Sequence, residues 1–169
     1  MDTPQWAMTI AFWLHMLATV TWLGGQAALS LLVFPAGRKA LAPEDYYNLI
    51  TAINKRMRVI AWLSLAILAG TGLMQLTVSE NYQGFVSVNN TWGAAILVKH
   101  VVFGLIVALS AYETWELGPN LENLALLRSR GKSTPEELEK LSKKERFIIN
   151  LHLVLSVVVL LLTSVARVS

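Results

Sequence analysis

The chain has 169 residues, of which 54% are hydrophobic and 15% charged, with a mean hydropathy of +0.51. Its length allows one domain, but this composition excludes an ordinary soluble protein. The net charge of +3 does not indicate a nucleic-acid partner, because the basic residues share their segments with most of the acidic ones. No cysteine is present, which excludes disulfides, thiolate metal sites and covalently attached c-type haem.

Four apolar runs dominate the chain, over residues 6–34, 59–78, 92–115 and 147–167. Each has about 20 residues or more, which at 1.5 Å per residue is enough to cross a hydrocarbon core of about 30 Å. Short connections between such helices favour neighbours that run in opposite directions. We therefore expect a single all-α membrane domain over 1–169, a four-transmembrane-helix up-down-up-down bundle in contact with the lipid bilayer.

The basic residues predict how this bundle lies in the membrane. Twelve of the 14 lysines and arginines fall in two loops, 35–58 and 116–146. By the positive-inside rule, both loops are expected on the cytoplasmic side and both termini outside. The N-terminal apolar run lacks a basic start and is too long for a cleaved signal peptide, so we interpret it as the first span.

Two prolines in these loops predict helix starts. Pro43 is followed by Glu44 and Asp45, and proline at the first helical position with acids in the first turn is typical of a helix N-terminus. That helix is expected to continue into the second span. Pro119 predicts a short helix in the second loop, with Leu121 on its inward side.

All three histidines, His15, His100 and His152, lie inside predicted spans, where ionisable residues are costly and indicate function. His15 is nine residues past Trp6 and His100 eight past Trp92, depths of ~13 Å and ~12 Å below the outer interface. The first and third spans run in the same direction, so these two imidazoles lie at one level. Two imidazoles facing each other across a bundle core suit the axial positions of a b-type haem.

Neighbouring residues predict the rest of this haem pocket. Trp22 and Gln26 lie further along the inward face of the first span and are expected to line the pocket or its inner extension. Gly104, one turn from His100, leaves room for a flat macrocycle. Lys99 is expected to pair with a haem propionate, with snorkelling to the outer head groups as the alternative.

Two alternative roles of His15 and His100 remain open. Copper binding is one, since Met8, Met16 and Met74 are near His15 and thioether and imidazole groups bind Cu(I). The second is a structural role, in which each neutral ring is hydrogen-bonded to a neighbour.

His152 lies about 7 Å from the inner end of the fourth span, ~10 Å from the level of the other two histidines. It is too far from them to share their iron. A second metal or haem site with Met57, a quinone site, a proton relay and a hydrogen-bonded structural histidine all remain open for it.

Short motifs in the first and third spans resemble those of the copper-resistance D (CopD) family of membrane proteins. The first span has His15, then the sequence Trp-Leu-Gly-Gly from Trp22, then Pro35, and the third has Trp92-Gly93 followed by Lys99. The resemblance covers nearly the whole chain. It implies copper handling at the outer face, and a location in a bacterial cytoplasmic membrane.

The same resemblance implies kinship with the bacterial membrane protoporphyrinogen oxidases, four-helix proteins that bind haem b. Those enzymes have an Arg, then Asn-Glu and Pro, around their last helix. Here Arg146 and Asn150 are present, but Leu151 follows where the oxidases have Glu.

These observations together predict a CopD-like haem b protein that transfers electrons, because iron with two histidine ligands has no open coordination site for other chemistry. Membrane quinone, other subunits of a redox complex or a second copy of the chain are the expected partners. The alternatives are a copper transport or tolerance protein, an enzyme similar to protoporphyrinogen oxidase, and a structural subunit without haem.

Overall fold

A computed structural model describes residues 4–79, 82, 84, 90–129 and 135–169 of the protein. These residues form six α-helices and two π-helical segments, and no strand. In chain order they are α1 (Gln5–Ala27), a π-helical segment (Ala28–Val33), α2 (Phe34–Ala40), α3 (Pro43–Thr77), α4 (Thr91–Tyr112), a second π-helical segment (Glu113–Leu117), α5 (Gly118–Ser129) and α6 (Pro135–Val168).

Within this described part, four continuous stretches are long and apolar enough to cross a membrane. They are Gln5–Ala40, Pro43–Thr77, Thr91–Leu124 and Glu139–Val168, termed spans one to four below. The predicted all-α four-helix bundle is confirmed. The helices also run through most of the predicted loops, so that residues 41–42 alone separate spans one and two.

Local sequence determines where two of the spans begin. Pro43 is the first residue of α3, with Glu44 and Asp45 in the first turn, which confirms the predicted start of a helix that runs into span two. At the start of α4, the Asn90 side chain accepts a hydrogen bond from the backbone N–H of Gly93 at 2.7 Å.

Each π-helical segment precedes a proline inside a long helix. A proline ring clashes with the carbonyl four residues earlier, which is that of Leu31 for Pro35 and that of Trp115 for Pro119. Both carbonyls lie within the π-helical segments. We attribute the wider turns to this clash, which the helices relieve without breaking. The second segment begins at Glu113, a residue important for the interior described below.

Span one packs against span two, and span three packs against span four. These two pairs then pack against each other to form the bundle. One central core cluster contains Trp22, Leu65 and Ile106, contributed by three different spans. Large apolar side chains also cover the outside, among them Val20, at 69% exposure, and Leu161, at 62%. An apolar exterior of this extent suits contact with lipid and identifies an integral membrane protein.

The two ends of the bundle differ in chemistry. One end has the connection at 41–42 and the start of α6, and carries the basic residues of the predicted cytoplasmic loops; it is called the basic end. Of those residues, Arg130 and Lys132 lie outside the described part of the chain. The opposite end contains His15, Lys99 and His100 and is called the histidine end.

Candidate functional site

The histidine of span one lies on the face that packs into the bundle. Ala11, Ala18 and Trp22 are all buried, and His15 falls among them at helical spacing. A side chain added at Gly72 of span two would meet the His15 Cε1 atom at 3.5 Å. The imidazole is therefore held between spans one and two.

The protonation of the His15 ring follows from the hydrogen bonds of Thr71. The Thr71 hydroxyl lies 2.6 Å from the carbonyl oxygen of Ile67 and donates its one proton there. Its oxygen is also 2.8 Å from His15 Nδ1, so it must accept the ring N–H. The Nε2 atom of neutral His15 consequently carries a lone pair.

His100 has the same arrangement with a different partner. Its Nδ1 lies 2.7 Å from the carbonyl oxygen of Ile96, which can only accept, so Nδ1 carries the proton and donates it. The lone pair of the neutral ring is again on Nε2. Histidines that bind metals typically donate one ring N–H to a carbonyl or similar group, which fixes the orientation of the other nitrogen.

Span three presents Lys99, rather than His100, to the centre of the bundle. Lys99 precedes the buried Ile106 by seven residues and shares its face, and its ammonium group is within electrostatic range of the His15 ring. His100 is about 100° further round the helix. The structure thus brings His15 together with Lys99, while His100 stands on the side of span three.

Further along span three, the side on which His100 stands meets span two. Thr114, about four turns along the same side of span three, accepts a hydrogen bond from Trp62 Nε1 of span two at 3.0 Å. Spans two and three are not one of the two closely packed pairs. His100 therefore borders the interval between spans two and three, and His15 lies against span two at the same end of the bundle.

The other residues expected around the histidines lie in two places. Gly104 is exposed, and no neighbouring atom of the described chain comes within 4 Å of the point where its Cβ would be. It is therefore not covered by a neighbouring helix, and it lies one turn from His100 on nearly the same side of span three. Trp22 and Gln26 are buried and line a cavity on the inner side of the histidines, towards the basic end. Small residues occur on lipid-facing and inward faces alike, which is why their spacing did not distinguish the two.

Gln75 of span two is a further polar residue at the histidine end. It lies one turn beyond Thr71, and its Nε2 atom is buried with no hydrogen-bond partner in the described part of the chain. An unpaired buried donor is costly, so a partner that accepts hydrogen bonds is expected there. With the Lys99 ammonium group, Gln75 makes this end suitable for an anionic group. In the sequence, the only indication of this polar group was a single glutamine within an apolar run.

The methionines expected to support copper are divided between faces. Met16 is 60% exposed, on the outside of span one, and cannot join His15 on the inward face. The described residues contain no group of three or more histidine, aspartate or glutamate side chains that could hold a metal ion. Among the histidines, the Nε2 atoms of His15 and His100 are the candidate ligand atoms at this end.

His152 has a different environment. It is fully buried, with 0% exposure, and its ring lies edge-on to Trp22 with centroids 5.5 Å apart. Its Nε2 is 3.4 Å from both the Ile106 carbonyl oxygen and the Ser110 hydroxyl, and its Nδ1 is 3.7 Å from Glu113 Oε2. Both ring nitrogens thus face protein groups, and we assign no metal or haem to this residue.

The chain was also compared with known proteins. It matches no family model, no curated protein and no solved structure. The geometry of the chain's own residues therefore carries the functional argument.

Proposed function

We propose that this integral membrane protein binds haem b without a covalent bond at its histidine end and transfers electrons. His15 and His100 would be the axial ligands. The observation that carries the proposal is that both rings donate Nδ1–H to a fixed acceptor, Thr71 Oγ1 and the Ile96 carbonyl, which places the lone pair of each neutral ring on Nε2. Haem iron with two such ligands supplies one-electron chemistry.

The polar groups nearby suit the rest of the haem. Its propionates are anionic acceptors, and the Lys99 ammonium group and the unpaired Gln75 amide are donors at the same end. Gly72 lies beside the His15 ring with no side chain of its own, and spans two and three are not one of the two closely packed pairs. These features support a flat ligand entering between those spans.

The remaining residues would orient the ligands and separate the site from the basic end. Thr71 holds His15, and the helix backbone holds His100. The core cluster of Trp22, Leu65 and Ile106 puts an apolar layer between the histidine end and the polar interior beyond it. The resemblance to the CopD family makes a bacterial cytoplasmic membrane the proposed location. Membrane quinone or another subunit is the proposed electron partner.

Optical spectra of the detergent-solubilised protein, oxidised and dithionite-reduced, test this proposal. We expect a Soret band and a sharp reduced α band of the b type, lost in His15→Ala and His100→Ala. Met16→Leu is the matched control, since its side chain is adjacent in sequence but faces outward. Copper in the purified protein without a Soret band would overturn the proposal and favour copper handling.

A further inference from the structure

A cavity lies between the apolar layer and the basic end, and all four spans contribute to its walls. It has room for about 50 Å³, enough for a few water molecules. Its polar lining includes Gln26 of span one, Asn54 and Arg58 of span two, Glu113 of span three and Glu145 of span four. Of the three histidines, only His152 adjoins this group, through its contact with Glu113.

The two ring nitrogens of His152 differ: Nε2 donates a hydrogen bond, and Nδ1 can accept a proton. The Ser110 hydroxyl donates to the Ile106 carbonyl at 2.9 Å, so its oxygen can only accept from His152 Nε2, 3.4 Å away. Nδ1 has no hydrogen-bond partner in the described chain and faces Glu113 Oε2 at 3.7 Å. At that separation a water or a small movement can pass a proton between the carboxyl group and the ring.

The charges around the cavity do not balance if every carboxyl group is ionised. Glu145 is 4% exposed and accepts a hydrogen bond from Asn54 Nδ2, and Glu113 is its neighbour across the cavity. Arg58 is the one cation on the described cavity wall, and it is shared with Glu122 at 3.7 Å. Arg146, next to Glu145 in sequence, also acts on that carboxyl group, so two cations face three carboxyl groups. Surplus negative charge inside an apolar bundle is costly, so a proton on one of these groups is favoured.

Gln26 gives an independent indication that the cavity is occupied. This residue is 6% exposed, and its Oε1 atom is buried without a hydrogen-bond partner in the described residues. It lines the same cavity as the two carboxyl groups. A buried acceptor in a polar cavity of this size is suited to water, which also carries protons.

Access to the cavity is one-sided. Towards the basic end, the side chains of Arg58 and Glu122 are 30% and 43% exposed, and the Glu113 side chain is 26% exposed. Towards the histidine end, Trp22, Leu65 and Ile106 close the path, with further apolar side chains packed against them. Water can therefore reach the carboxyl groups from the basic end but not from the opposite one.

We propose that this cavity is an internal proton-binding site: it takes up a proton from the basic end and shares it among Glu113, His152 and Glu145. The step moves one proton from water to a carboxylate or imidazole nitrogen, with no change of oxidation state. The site does not depend on haem, because none of its groups lies at the histidine end. A protein that fails to bind haem can still contain it.

Infrared spectroscopy of the purified full-length protein tests this proposal through the carbonyl stretch of protonated carboxylic acids. We expect a band that shifts in D₂O and persists at a pH where exposed glutamates are ionised. Glu113→Gln or Glu145→Gln should remove or shift this band. Glu122→Gln is the control and should leave it unchanged, because the Glu122 side chain, which pairs with Arg58, is 43% exposed. The glutamine replacements keep the size of each side chain, and circular dichroism verifies that each variant is folded.

Two outcomes would overturn the proposal. One is the absence of any protonated carboxyl band in the unaltered protein near neutral pH, a result that needs no variant. The other is a band that disappears only in Glu122→Gln. Because these spectra are read without haem, they are independent of the optical test of the haem proposal.

Discussion

Thr71 Oγ1 accepts the Nδ1–H of His15 at 2.8 Å, across the interface between spans one and two. This bond fixes both the tautomer and the direction of the ring. Thr71→Val keeps the shape of the side chain but removes the acceptor. If His15 binds haem iron, the affinity for haem should fall by about 10- to 100-fold, as is typical for loss of a group that orients a ligand.

Titration of the haem-free protein with haem, followed at the Soret band, measures this change. Thr21→Val is the matched control, because Thr21 lies on span one with His15, is exposed and donates to the Leu17 carbonyl. Equal affinities for the two variants would show that the Thr71 contact has no role in binding.

Lys99 provides a second prediction, because its charge lies near His15 on the inward face of span three. A nearby cation favours the reduced state of a haem, so Lys99→Met should lower the midpoint potential. An interaction of ~1 kcal/mol corresponds to about 40 mV for one electron. Redox titration measures the shift, with the exposed Arg167→Met as control. An unchanged potential would favour snorkelling of Lys99 to the head groups.

The sequence predicted the number of spans well, because apolar runs of about 20 residues are seldom anything but transmembrane helices. It predicted the inward faces less well. On span three the small residue Gly104 suggested an interior pocket, yet it is exposed and no neighbouring helix covers it. Lipid is as apolar as a membrane protein's core, so hydropathy does not mark the inward side. Polar residues do: Lys99, Ser110 and Glu113 share the face of the buried Ile106.

The polar cavity was not predicted, for a related reason. Glu113 is near the end of an apolar run, and Glu145 falls in what the sequence marks as a cytoplasmic loop. The structure continues α6 from Pro135 to Val168 without a break, which turns Glu145 inward beside Asn54. A carboxyl group in a basic, charged segment is indistinguishable by sequence from one in solvent until the partner helix is known.

Trp22 provides a prediction about stability. It is 6% exposed, and its Nε1 donates to the Ser156 hydroxyl at 3.0 Å, which joins spans one and four. Trp22→Phe removes this buried hydrogen bond and should lower the free energy of unfolding by about 1–3 kcal/mol. Denaturation in mixed detergent measures it. Trp115→Phe, at a site 70% exposed, should lower the free energy of unfolding far less. Equal losses of stability in the two variants would contradict a stabilising role of the Trp22–Ser156 hydrogen bond.

The apolar layer of Trp22, Leu65 and Ile106 gives a prediction about proton conduction. Water does not fill a narrow apolar constriction, so vesicles containing the unaltered protein should hold a pH gradient. Leu65→Asn puts a hydrogen-bonding group into this layer and should connect the cavity with the polar region around His15 and Lys99. The gradient, followed with a pH-sensitive dye, should then decay faster. Leu63→Asn is the matched control, because Leu63 is 62% exposed on the outside of the same span.

Both variants introduce the same polar side chain two residues apart, so general damage to the bundle should affect them alike. Faster decay in Leu65→Asn alone would identify the layer as the barrier between the two polar regions. Equal decay in both would mean that the barrier lies elsewhere along the bundle. A gradient that decays with the unaltered protein would show that the cavity is open towards the histidine end as well, contrary to the one-sided access inferred from its packing.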